Sequence, residues 1–112
     1  MVFIESRSFT KRLEDLAGGK AHEVLERIQA DLLKSPERRN LLQGLGGIRK
    51  ARTSNPARGK GKRGGYRYFF LYLVRKQHIH LLLLLDKDEQ EDLSWDERKA
   101  LRKIVEAIKQ VV

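Results

Sequence analysis

The stretch YRYFFLYLVRKQHIHLLLLL, residues 66–85, decides how this chain folds. Two runs rich in aromatic and branched residues flank the polar triplet Arg75-Lys76-Gln77, the pattern of two strands joined by a tight turn. The turn lacks the Asn-Gly pair of the commonest hairpins, but its length suits one. Period-2 alternation sets Arg67, Phe69, Leu71 and Leu73 on one face of the first strand, opposite Tyr66, Tyr68, Phe70 and Tyr72. The second strand, His78 to Leu85, ends in a leucine run that reads as buried.

Working outward, Ile48 to Thr53 follows Gly46-Gly47 and is a further strand candidate, as is Val2 to Glu5. Between these lie two amphipathic helices. In the first, with Ser8 or Thr10 as the expected cap, Phe9, Leu13 and Leu16 recur at helical spacing before Gly18-Gly19. The second runs from about Lys20 to Lys34, with Ala21, Val24, Leu25, Ile28 and Leu32 on one stripe, and stops at Ser35-Pro36. On the C-terminal side, Ser94-Trp95-Asp96-Glu97 matches a capping box and opens a last helix. Trp95, Leu101, Ile104, Val105 and Ile108 are its expected core residues. The order strand, two helices, three strands, helix predicts an α+β domain spanning residues 1–112.

Charge is concentrated in the middle of the chain. Eight of the 24 Lys and Arg residues fall between Arg49 and Arg67, where there is no acid, leaving 16 basic against 15 acidic elsewhere. The formal charge of +9 is therefore a local property, of the kind that binds a polyanion through counterion release. Lys50 and Arg52 share a strand face, roughly 7 Å apart. The intervening loop carries Arg58, Lys60, Lys62 and Arg63 among glycines that let backbone amides approach phosphate. Its Gly59-x-Gly61-x-x-Gly64 matches a dinucleotide fingerprint by letter only, since it precedes a strand instead of opening a helix.

Such a face binds nucleic acid, or it cleaves RNA. In-line attack by a ribose 2′-hydroxyl needs a proton acceptor, cations for the phosphorane charge and an acid for the leaving oxygen. Lysine and arginine can supply all three without metal, provided neighbouring positive charge lowers a lysine's pKa. His78 and His80 point the same way on their strand, but without a third ligand of matching spacing they read as strand residues. The absence of cysteine removes disulfides and thiolate metal sites. No apolar run reaches the length of a bilayer span, so a soluble cytoplasmic protein is expected.

The run Gly44-Leu45-Gly46-Gly47-Ile48-Arg49-Lys50-Ala51-Arg52, then Gly64-Gly65-Tyr66-Arg67, resembles the RelE/HigB-type toxins of bacterial type II toxin–antitoxin pairs (the RelE/ParE superfamily). The acidic segment from Leu85 to Ser94, with Lys87, is similar to the turn before that family's last helix. The resemblance implies a RelE-like β-α-α-β-β-β-α domain with a mainly antiparallel sheet and the two N-terminal helices on one face. It implies an mRNA endoribonuclease without a cofactor, working on the ribosome with 16S rRNA contacts, and a cognate helix-turn-helix antitoxin.

Carried over by position, Lys50 is the general base and Arg52 a phosphate contact. Arg67 stabilises the phosphorane, and Lys87 contacts phosphate or assists the leaving group. Arg49, Arg58, Lys60, Lys62 and Arg63 grip RNA. Thr53 stands where relatives carry a stacking aromatic, so base stacking comes from Tyr66 or Tyr68 or is absent. The C-terminal Lys109-Gln110-Val111-Val112 lacks the Tyr or His with which some relatives end. The alternative is a non-catalytic nucleic-acid-binding module, or an inactive toxin serving as an antitoxin's co-repressor partner.

Overall fold

The computed structural model describes residues 1–38, 40–56 and 65–111, with the side chain of residue 38 excluded. Strand β1 (Val2–Glu5) leads through a single residue into helix α1 (Arg7–Ala17), and a short 3-10 turn joins α1 to α2 (Ala21–Lys34). Four more strands follow: β2 (Asn40–Leu41), β3 (Ile48–Thr53), β4 (Tyr66–Leu73) and β5 (His78–Asp86). Helix α3 (Trp95–Val111) comes last. The strands form one sheet in the order β1-β5-β4-β3-β2, parallel between β1 and β5 and antiparallel at the other three junctions.

The hairpin at the heart of the chain forms as its pattern predicts. Its four-residue turn closes with Gln77 donating its backbone N–H to the Val74 carbonyl. Gln77 takes a left-handed φ of 55°. The side chain holds it there, its amide nitrogen donating to Val74 O at 2.8 Å and to the Tyr72 hydroxyl at 3.0 Å. A bulge between Phe69 and Phe70 shifts the β4–β5 register by one residue. It turns both Leu82 and Leu83 toward the same side of the sheet.

Two cores result, one on each face. On the first, α1 and α2 set Phe9, Leu13, Val24, Ile28 and Leu32 against Ala51, Tyr66, Tyr68, Phe70, Ile79, Leu81 and Leu84. On the second, α3 sets Leu101 and Val105 against Leu45, Ile48, Phe69, Leu71, Leu82, Leu83 and Leu85. The sheet is a middle layer, which is why β4 and β5 are apolar on both sides.

Three details depart from the expectations. The cap of α1 is Ser6, whose hydroxyl accepts from Phe9 N at 3.1 Å and donates to Leu82 O at 2.8 Å, so neither Ser8 nor Thr10 serves. Trp95 is 73% exposed and is no core anchor. It stands six residues before Leu101, which puts it about 120° away from the buried stripe around the helix. The third departure is β2, a two-residue edge strand pairing Asn40 with Lys50 and Leu41 with Arg49. No helix among the described residues is long and apolar enough to cross a membrane.

Candidate nucleic-acid interface

The register of β3 on β4 assembles the basic face. Arg52 lies directly opposite Arg67, and Lys50 opposite Phe69. Directly opposed residues of an antiparallel pair project from the same face with Cβ atoms about 5 Å apart. Since Ile48 and Phe69 belong to the α3-side core, Lys50, Arg52 and Arg67 emerge on that same side. The helix covers the Ile48 end of this face, and the Arg52–Arg67 row continues beyond its apolar contacts.

Two like charges in a directly opposed pair are unfavourable by about 0.2–1 kcal/mol. Arg67 is half-buried and donates from its guanidinium to the Glu91 carbonyl at 2.7 Å, which fixes its direction without cancelling its charge. Neither Lys50 nor Arg52 makes an ion pair among the described residues. An anion bound between Arg52 and Arg67 would turn their repulsion into two favourable contacts.

Lys87 arrives from the far side of the hairpin. It follows the last residue of β5, and its backbone N–H donates to the Gly65 carbonyl at 3.1 Å, adding one more rung beside Tyr66 and Asp86. The turn that carries it is held by buried Asp86, whose carboxylate accepts from Asp88 N at 2.9 Å. Gly65 itself packs so closely on β3 that a Cβ there would collide with the Thr53 carbonyl oxygen. Lys87 and the Arg52–Arg67 row are therefore pinned to the same end of the sheet.

Arg49 has a different place. It sits on the alternate face from Lys50 and donates to the Glu37 carbonyl at 3.1 Å. The structure also overturns the stacking role expected of Tyr66 and Tyr68. They are 2% and 0% exposed, on the α1–α2 side, and the Tyr66 hydroxyl donates to Leu16 O at 3.3 Å. No base can reach rings enclosed in that core. Arg58, Lys60, Lys62 and Arg63 lie outside the described residues.

Residues unremarked in the sequence border the site. At the open edge of β3, Arg52, Thr53 and Ser54 line a recess of about 370 Å³ with Arg27, Ala30 and Asp31 of α2. Arg27 donates to the Ser54 hydroxyl and pairs with Glu23 at 3.5 Å, tying α2 to the end of β3. On the other flank, Arg98 of α3 pairs with Asp92 at 3.8 Å, next to the Glu91 carbonyl that Arg67 holds. Helical spacing alone does not tell which flank of α3 meets the basic strands, so these arginines could not be placed beforehand. Among the described residues no cluster of three or more His, Asp or Glu side chains is arranged to hold a metal.

No protein-family model matches the chain. Solved structures do. The free-state E. coli toxin RelE, as an arginine double mutant, superposes with a TM-score of 0.57 at 16% identity, over 80% of this chain and 86% of that one. The crystal structure of the isolated E. coli RelE toxin, in its P21 form, gives 0.55 at 16% identity, over 92% and 97% of the two chains. The intact E. coli RelBE toxin–antitoxin complex gives 0.56 at 15% identity, over 76% and 94%. With its five-stranded sheet, paired N-terminal helices and closing helix, the chain has the RelE-like fold.

Proposed function

We propose that this protein is the toxin of a type II toxin–antitoxin pair and cleaves mRNA by in-line attack of a ribose 2′-hydroxyl. The observation that carries the reading is the Arg52–Arg67 opposition beside Lys50, a cluster of charge that costs stability and makes sense around an anion. The likeness to RelE, including RelE in complex with its antitoxin, supports the toxin assignment.

In this mechanism Lys50 Nζ acts as the neutral amine: its lone pair takes the proton of the 2′-hydroxyl as that oxygen bonds to phosphorus, and it becomes an ammonium. Arg52 and Arg67 hold the two non-bridging oxygens as negative charge builds on them. The P–O5′ bond then breaks, leaving a 2′,3′-cyclic phosphate and a 5′-hydroxyl. Lys87 contacts phosphate or gives a proton to the departing O5′. All of the charge stabilisation comes from side chains, so the chemistry calls for no metal. The loop residues Arg58, Lys60, Lys62 and Arg63 hold the strand through its phosphates, whereas Arg49, on the opposite face, is not part of this grip. The message is presented in the ribosome, against 16S rRNA, and a helix-turn-helix antitoxin silences the toxin.

The test is to map mRNA 5′ ends after adding the protein to programmed ribosomes and to naked message. Cleavage on ribosomes, lost in Lys50→Ala and Arg67→Ala with melting temperature retained, is the expected result. Intact message under both conditions, with retained RNA affinity, would instead establish a binding module.

A further inference from the structure

With Tyr66 and Tyr68 enclosed in one core and Phe69 in the other, the face of β3 and β4 that bears Lys50, Arg52 and Arg67 offers no exposed aromatic ring among the described residues. Helix α3 carries one. Trp95, the chain's only tryptophan, opens the helix and is 73% exposed. At 100° per residue, Trp95, Arg98, Arg102 and Lys109 fall on one flank, beside the buried Leu101–Val105 stripe.

Contacts fix where that flank faces. Lys109 Nζ donates to the Gly46 carbonyl at 2.6 Å, and a Cβ on Gly44 would stand 3.8 Å from the Arg102 guanidinium. Both glycines belong to the loop that runs into β3. At the other end of the flank, Arg98 pairs with Asp92 while Arg67 holds the carbonyl of Glu91, so a turn of two adjacent residues separates the two arginines. The flank thus borders the sheet face that bears Lys50, Arg52 and Arg67. Arg102 makes no ion pair among the described residues.

We propose that this flank of α3 is the second wall of the RNA site: Trp95 stacks on a base of single-stranded RNA, and Arg98 and Arg102 take the adjoining phosphates. The inference rests on reading the β3–β4 face as an RNA site. An aromatic plane beside cations suits a base beside its phosphates. A protein partner would instead be expected to meet a ring of apolar neighbours around the tryptophan. Here the flanking Ser94, Asp96 and Lys99 are all exposed and polar.

Because the chain has one tryptophan, its own emission reports the contact. The probe is a short single-stranded 2′-O-methyl RNA, which cannot undergo 2′-hydroxyl attack, titrated at low salt. Expected are saturable quenching of Trp95 and an affinity about tenfold weaker in Trp95→Ala by anisotropy of labelled RNA, the order of one stacked base, with Trp95→Phe recovering most of it. Arg102→Ala should weaken binding and reduce the salt slope by about one. Melting temperatures check that each variant folds. RNA that binds without quenching, and with equal affinity in Trp95→Ala, overturns the inference while leaving the β3–β4 site standing. Quenching by antitoxin but not by RNA overturns it in favour of a protein anchor. Quenching by RNA without any cleavage of message upholds it and sinks the nuclease reading alone. No RNA binding at all sinks both.

Discussion

Arg52 and Arg67 set two like charges directly opposite each other, and that opposition is destabilising. Arg52→Gln should therefore leave urea stability unchanged or raise it slightly, while cleavage falls by orders of magnitude. A variant that loses both in proportion would mark Arg52 as a structural residue. His80 gives a second residue-scale expectation. Burial, reinforced by nearby His78, holds its imidazole below the ordinary value of 6.5. Its Nε2 is enclosed with no hydrogen-bond partner among the described residues. The unfolded chain takes up the proton more readily, so this contribution to stability is complete above pH 6.5 and is lost as pH falls through the lowered value. Chemical denaturation at pH 8 and pH 5 should show a larger acid loss for wild type than for His80→Leu; equal losses would exclude His80 as the source. Strand periodicity made the Lys50–Arg52–Arg67 face legible in advance, because alternation is a property of the backbone. It gave no sign that Tyr66 and Tyr68 are enclosed, since both faces of β4 are apolar and only the placement of three helices decides which positions water reaches.

At the scale of elements, the long periodic segments were readable and the short or junctional ones were not. Strand β3 and the start of β4 fall where alternation puts them, and the Ser94–Glu97 box forms reciprocally, Ser94 N to Glu97 Oε1 at 2.8 Å and Glu97 N to Ser94 Oγ at 3.1 Å. By contrast, β2 has two residues, too few to show a period, and it exists because β3 offers it an edge. Ser6 was passed over as a cap because the strand runs into the helix with no loop to announce the boundary. Ser94→Ala should cost about 1 kcal/mol by urea denaturation, the usual value of a lost cap. Gly65→Ala should cost more, about 1–3 kcal/mol, because the added methyl has only the Thr53 backbone to push against. It should also lower cleavage, since Gly65 spaces β3 from β4 at the Arg52–Arg67 end; normal activity in a destabilised Gly65→Ala would show that this spacing is not critical.

For the molecule as a whole, the layering decides what each helix is for. Helices α1 and α2 cover most of one face of the sheet, whereas α3 covers part of the other and leaves a charged strip beside itself. The two faces of one sheet thus differ in character, one largely apolar and covered, the other part apolar and part basic. The pairing of β1 with β5 bears on how the protein is made. Val2 lies beside His78 and Glu5 beside Leu81, so β1 is ordered by a strand that lies far downstream of it in sequence. Until β5 exists, β1 has no neighbour, while β3, β4 and β5, which carry Lys50, Arg52 and Arg67 on their first two members, pair with strands adjacent in sequence. The expected order is therefore β3–β4–β5 first and β1 afterwards. Pulse-labelled hydrogen exchange should find the amides of β4 protected before those of β1. A protein completed in that order has its basic face formed before its fold is locked, an interval in which a partner already waiting could take hold of it.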